Sequence, residues 1–168
     1  MHYTSWDRSK VEEPVLLIED GPEDLAVFGQ DVASVGQESW SLDVRDQEGA
    51  TATSSTGAVY SLPGNFGRDK RLHANVNGTG YVFVNETGAE WIIDDEASQK
   101  VAQFCGKNSG VRKAILEFEG QASIPTDHIV ALSWFARLVL EEKVEKSSTA
   151  VIVSLVLASI VALLAFFV

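Results

Sequence analysis

The sequence predicts a mainly β protein: an antiparallel β-barrel that encloses a hydrophobic helix and is followed by one C-terminal transmembrane helix. Three observations predict it. Residues 15–119 hold short runs of strand-forming residues separated by turn sequences at close intervals. The run IVALSWFARLVL, residues 129–140, is apolar on nearly every side yet too short to cross a bilayer. The last twenty residues, TAVIVSLVLASIVALLAFFV, carry no charge.

The strands come first. Candidate strands are 15–19, 25–30, 40–45, 58–62, 81–85, 90–94, 100–104 and 113–119. Turn chemistry separates them: DQEG at 46–49, NETG at 85–88, DDEAS at 94–98 and GKNSG at 106–110. A weak repeat runs through WSLDVRDQEG, YVFVNETG and WIIDDEAS, each an aromatic, a strand and a turn. Recurrent hairpins of this kind build a meander, and closing it removes the open edges. Residues 1–14 are mostly polar and are expected to be a flexible leader. The other reading of that leader takes Tyr3 and Trp6 as an anchor to a partner or to the membrane interface.

The short apolar run is expected as a closing helix over 126–142. Pro125 disfavours an earlier start, Thr126 or Asp127 can cap the first free N–H groups, and Asp127 suits the positive end of the helix dipole. Twelve apolar-run residues reach about 18 Å, and Arg137 would cost roughly 2.5–3.5 kcal/mol near a bilayer centre. A helix that is apolar all round is buried in protein, and the strands are what can enclose it. Arg137 then forms a polar pair with Ser133, one turn earlier. It either snorkels at the barrel mouth or pairs with an inward carboxylate.

Residues 143–148 read as a short polar linker and 149–168 as a transmembrane tail anchor. Twenty apolar residues span about 30 Å, the thickness of the hydrocarbon core. EEKVEK is itself a good helix former, so the two helices are expected as one nearly continuous rod. Lys143 and Lys146 precede the span, which places the N-terminal domain in the cytoplasm. The absence of any signal or transit sequence makes a bacterial inner (plasma) membrane the simplest location. Ala150, Ser154, Ala158 and Ala162 recur every four residues, a strip that lets another transmembrane helix approach closely. Alanine and serine are also common in any such span, which is the plainer account of the strip.

Composition narrows the functions. The net charge is −11 and the pI about 4.6, the opposite sign to that of a nucleic-acid binder. The single cysteine, Cys105, excludes an intrachain disulfide and is expected to be a small buried hydrophobe. His2, His73 and His128 lie far apart, with no metal-ligand spacing, and no nucleophile or phosphate-loop motif occurs. The sequons at Asn77 and Asn85 matter only if the domain is exported. No cofactor, metal site or catalytic residue is expected.

Three segments, YVFVNETGAEWIIDDEASQKVAQF (81–104), VRKAILEFEG (111–120) and IPTDHIVALSWFARLVL (124–140), resemble the tubby C-terminal-like superfamily, which includes the LURP-one-related and phospholipid scramblase-like proteins. The resemblance covers 15–142. It implies a twelve-stranded barrel with an apolar helix threaded through it, of which eight or nine strands are legible here. It also implies basic residues holding anionic lipid head groups. Arg68, Lys70 and Arg71 in GNFGRDKRLH are the nearest candidates, against a solvated loop partly neutralised by Asp69. Scramblase-like members carry an acidic calcium segment, but Asp94, Asp95 and Glu96 lack the required ligand spacing. The expected function is a membrane-tethered, non-catalytic interaction module, an accessory or regulatory subunit of a membrane assembly. The alternative is a lipid-binding or lipid-sensing, scramblase-like protein. The expected partners are the lipid bilayer, a transmembrane protein and, in the alternative, anionic lipid.

Overall fold

A computed structural model describes residues 1–10, 12–106, 115–120 and 124–166; within the last range, side chains are described to 142 and at 152, 154–157 and 159. Among the described residues twelve strands form one closed antiparallel barrel: β1 Tyr3–Asp7, β2 Val15–Ile18, β3 Asp24–Phe28, β4 Val32–Val35, β5 Glu38–Arg45, β6 Gly49–Ser54, β7 Val59–Pro63, β8 Arg71–Val76, β9 Thr79–Thr87, β10 Glu90–Asp95, β11 Lys100–Cys105 and β12 Leu116–Phe118. Each strand pairs with its sequence neighbours, and β1 closes the ring against β12 through Tyr3↔Glu117 and Thr4↔Leu116. Closure leaves no edge for another chain to extend.

Helix α1, Thr126–Phe166, runs through the barrel and out of it without interruption. It contains no Gly or Pro, and the polar stretch 143–148 continues it rather than breaking it. Inside the barrel the helix is buried all round: Val130, Ala131, Leu132 and Phe135 have no exposed surface. Its contacts give its direction. Tyr60 and Tyr81, near the starts of β7 and β9, meet Asp127 and His128. Phe28, at the end of β3, stacks on Trp134 with ring centroids 6.2 Å apart. The helix therefore starts at one mouth and leaves by the other, parallel to the odd-numbered strands.

Alternation decides what fills the interior. On β5 Trp40 and Leu42 point inward; on β9 Tyr81 and Phe83; on β10 Trp91 and Ile93; on β11 Ala102 and Phe104. β4, β6 and β8 also put small residues inward. Ala33 lies on β4, Ala50 and Ala52 on β6, and Ala74 on β8, each at most 5% exposed. These positions leave room for the helix and for stacked pairs such as Trp40–Tyr60, whose centroids are 4.2 Å apart. Gly49 opens β6 at φ +118°, where a Cβ would meet the Leu62 carbonyl oxygen at 2.3 Å. Only glycine lets β6 begin so close to β7.

Residues 1–14 need correction. They were expected as a flexible leader, but they contain β1. The inward side chains explain this: Thr4 is fully buried and shares a 2.8 Å hydrogen bond with Ser133, while Trp6 packs edge-on against Phe28. Tyr3 donates to Asp20, so the Tyr3–Trp6 pair is used within the barrel. Of the expected strand 113–119, residues 113–114 lie outside the described residues, as do 107–110 of the turn expected at 106–110.

Candidate functional site

The candidate sites are the two mouths of the barrel and the helix beyond it. At the helix-start mouth, two tyrosines hold the first turn of α1. The Tyr60 hydroxyl donates to Asp127 Oδ2 at 3.0 Å, and the Tyr81 hydroxyl lies 3.0 Å from His128 Nδ1. Tyr60 and Tyr81 sit where alternation turns β7 and β9 inward, so both rings are buried. Burial pushes the Tyr60 phenol well above its ordinary value of 10.0, helped by its hydrogen bond to Asp127 and by the charges of Asp127 and Glu38. Tyr81 is also raised, by burial first and then by Asp95 and Asp127.

These shifts have a pH consequence. An unfolded tyrosine ionises near pH 10, but both phenols stay protonated above that in the folded barrel. Their contribution is whole below about pH 10 and is lost as pH rises through the folded values. Urea midpoints should fall above about pH 10, with phenolate absorbance from these two residues appearing only on unfolding. Tyr60→Phe with Tyr81→Phe should flatten that fall.

At the helix-exit mouth, Arg137 answers the question raised by its sequence position. It does not pair with an inward carboxylate. Its guanidinium lies 4.8 Å from the centroid of the Trp6 ring, and Nε donates to Glu141 Oε1 at 2.9 Å, one turn along the helix. Arg8 adds a second cation 3.7 Å from the same carboxylate oxygen. Ser133 belongs to a different interaction, the buried bond with Thr4. The expected Ser133–Arg137 pair is therefore split: Ser133 bonds within the barrel interior, and Arg137 is held at its rim between Trp6 and Glu141.

Arg68, Lys70 and Arg71 are exposed, in the connection between β7 and β8 and at the first residue of β8. That connection follows an odd-numbered strand, so it lies at the helix-exit mouth. Asp69 accepts from the Asn65 backbone N–H at 2.8 Å and so shapes the loop, and no described residue forms an ion pair with the three cations. Asp95 and Glu96 shape turns too. Asp95 Oδ1 accepts from the N–H groups of Ala97 and Gln99, and Glu96 accepts from that of Gly80. Among the described residues no group of three His, Cys, Asp or Glu side chains is placed to hold a metal ion. Cys105 is half-buried rather than buried. Phe104 takes the inward position on β11, and alternation turns Cys105 outward.

Beyond the barrel, α1 carries exposed apolar side chains. Ile152, Leu155, Val156 and Leu157 are 61%, 62%, 53% and 58% exposed. Ser159 returns its hydroxyl to the Leu155 carbonyl at 2.8 Å, the usual way an apolar helix satisfies a serine from within. Among the described residues no helix is long and apolar enough to cross a membrane. Of the strip expected as a docking face, Ser154 is exposed, whereas the side chains of Ala150, Ala158 and Ala162 lie outside the described residues. Residues 167–168 of the expected span 149–168 also lie outside them.

The described cations of the strands and connections gather at one mouth, where Glu12, Glu13, Asp31, Asp46, Glu48 and Asp69 lie among them. Every described cationic side chain of the strands and their connections except Lys100 lies at the helix-exit mouth: Arg8, Lys10, Arg45, Arg68, Lys70 and Arg71. The helix-start mouth carries Glu19, Asp20, Glu23, Asp24, Glu38 and Asp95 among its acids. Lys100 is held there by Glu119 at 2.6 Å. No protein family, no curated protein and no solved structure matches this chain.

Proposed function

We propose that the protein is a membrane-tethered, non-catalytic interaction module: a barrel fixed to the bilayer by the continuation of α1, acting as an accessory or regulatory subunit of a membrane assembly. The observation that carries this is the bare apolar helix outside the barrel. Residues Leu155, Val156 and Leu157 are consecutive, point about 100° apart, and are all more than half exposed. Water does not favour such a surface, and lipid does. The apolar sequence runs on to 168. Lys143 and Lys146 favour a cytoplasmic barrel. In this reading a second transmembrane helix docks on Ala150, Ser154, Ala158 and Ala162. Ser154→Leu with Ala158→Leu fills that strip and keeps the span apolar. A partner that copurifies in mild detergent should then be lost by about tenfold or more; copurification that survives both changes removes the docking claim.

A second reading is favoured by one placement. The connection bearing Arg68, Lys70 and Arg71 lies at the mouth from which the tether leaves, within reach of anionic head groups. This supports a lipid-sensing role and, with the twelve strands around an apolar helix, a relationship to the tubby-like proteins. Each surface cation contributes about 1 kcal/mol at an anionic membrane, so Arg68→Glu with Arg71→Glu should reduce binding to acidic vesicles at least about tenfold. Unchanged binding would leave the interaction-module reading alone.

A further inference from the structure

Three contacts tie one strand to one face of α1. Thr4 shares its buried bond with Ser133, the Trp6 ring lies under the Arg137 guanidinium, and Arg8 reaches Glu141, which also accepts from Arg137. On the strand side the residues are 4, 6 and 8, alternate positions along β1 and the residue that follows it. On the helix side they are 133, 137 and 141, one turn apart on one face. The spacings agree, because two strand residues rise about 6.6 Å and four helix residues about 6 Å. The contacts therefore form one polar seam that stays in register from the interior to the rim.

The rest of the enclosed helix has no dominant apolar face to set its rotation. Residues 129–140 are apolar on nearly every side, and hydrophobic burial is non-directional. Hydrogen bonds and ion pairs are directional, and a polar contact among apolar ones can fix register. The neighbours on either side of the seam agree with one setting. Trp134 meets Phe28 on β3, and Leu140 lies against Gly106, just past β11; β3 and β11 flank β1 on opposite sides. The setting is carried out of the barrel, because α1 runs unbroken to Phe166. Eighteen residues make about five turns. Leu155 and Ser159 therefore leave on the face of Arg137 and Glu141, and Ser154 leaves on the face of Ala136 and Leu140, toward β11.

We propose that this seam sets the rotation of α1 and so fixes the side on which the barrel meets a membrane partner. A partner helix packed against Ser154 approaches on the β11 side; that last step rests on the interaction-module reading, and the seam does not. The test reads the rotation in the full chain in detergent micelles, with Cys105→Ser as background. A Cβ on Gly106 would lie 3.2 Å from Leu140 Cδ2, so Gly106→Cys with Leu140→Cys sets two thiols side by side. Dibromobimane, which fluoresces on bridging neighbouring thiols, should link that pair. It should not link Gly106→Cys with Leu138→Cys, on the far face of the helix. Thr4→Val, Ser133→Ala, Arg137→Leu and Glu141→Leu together make the seam apolar. That variant should keep the circular dichroism of the folded barrel yet lower the preference for 140 over 138 at least about tenfold. Phe83→Leu, which removes a ring contact of Phe135 and leaves the seam alone, should keep the preference. A preference that survives loss of the seam, one that Phe83→Leu lowers as much, or equal linking at 138 and 140 in the parent overturns the proposal. If the fourfold variant does not fold, Arg137→Met with Glu141→Gln decides: the preference should fall at least about threefold, and an unchanged one overturns the proposal. The linking needs neither partner nor bilayer, so its failure is separate from failure of the tether or of the docking.

Discussion

Phe135→Ala should destabilise the barrel by about 3–5 kcal/mol, measured by urea unfolding of the full chain in detergent. Phe135 has no exposed surface and lies on the part of α1 inside the barrel, its ring 6.4 Å from that of Phe83 and close to that of Trp134. The size of the effect follows from closure. A helix packed on an open sheet can shift toward a cavity and recover part of the loss. Here every strand is hydrogen-bonded on both sides, so the wall cannot fall inward and the void remains. A loss below about 1 kcal/mol, the range of a surface change, would mean that the helix does not fill the barrel.

The Thr4–Ser133 bond predicts a pattern as well as a size. It joins the closing strand to the helix at 2.8 Å, with both residues at most 1% exposed. Removing one hydroxyl leaves the other buried without its partner, at about 1–3 kcal/mol. The two changes should not be equal. After Thr4→Val, the Ser133 hydroxyl can turn back to the carbonyl one turn earlier on α1. After Ser133→Ala, Thr4 has no such recourse on a strand, so Ser133→Ala should cost more. The double variant should cost less than the sum of the two. Additive costs in a double-mutant cycle would show that the bond does not couple β1 to the helix.

The sequence made some of this legible and hid the rest for physical reasons. Strands bearing large inward residues were visible, as with Trp40 and Leu42 on β5 or Tyr81 and Phe83 on β9. Strands with inward Ala33, Ala50 and Ala52 were not, because alanine carries little strand signal until the helix opposite it is known. β1 was hidden in the same way: Thr4 and Ser5 look polar, yet both are buried with hydrogen-bond partners. The burial of 129–140 could be read from its length and its all-round apolarity. The fate of Arg137 could not, since the Trp6 ring under its guanidinium comes from the far end of the chain. The helix-start mouth left no motif at all. Asp24, Glu38, Tyr60 and Asp127 stand on four separate elements and meet only when the barrel closes. The cations of the odd turns are likewise brought to one mouth only by an up-and-down topology.

The tether is the central claim, and alkaline carbonate extraction of membranes from cells making the full chain tests it most directly. The full chain should stay with the membrane pellet, while a chain ending at Glu142 should be released, because the continuation of α1 provides the insertion. A full chain released to the supernatant as freely as the shortened one would contradict the account.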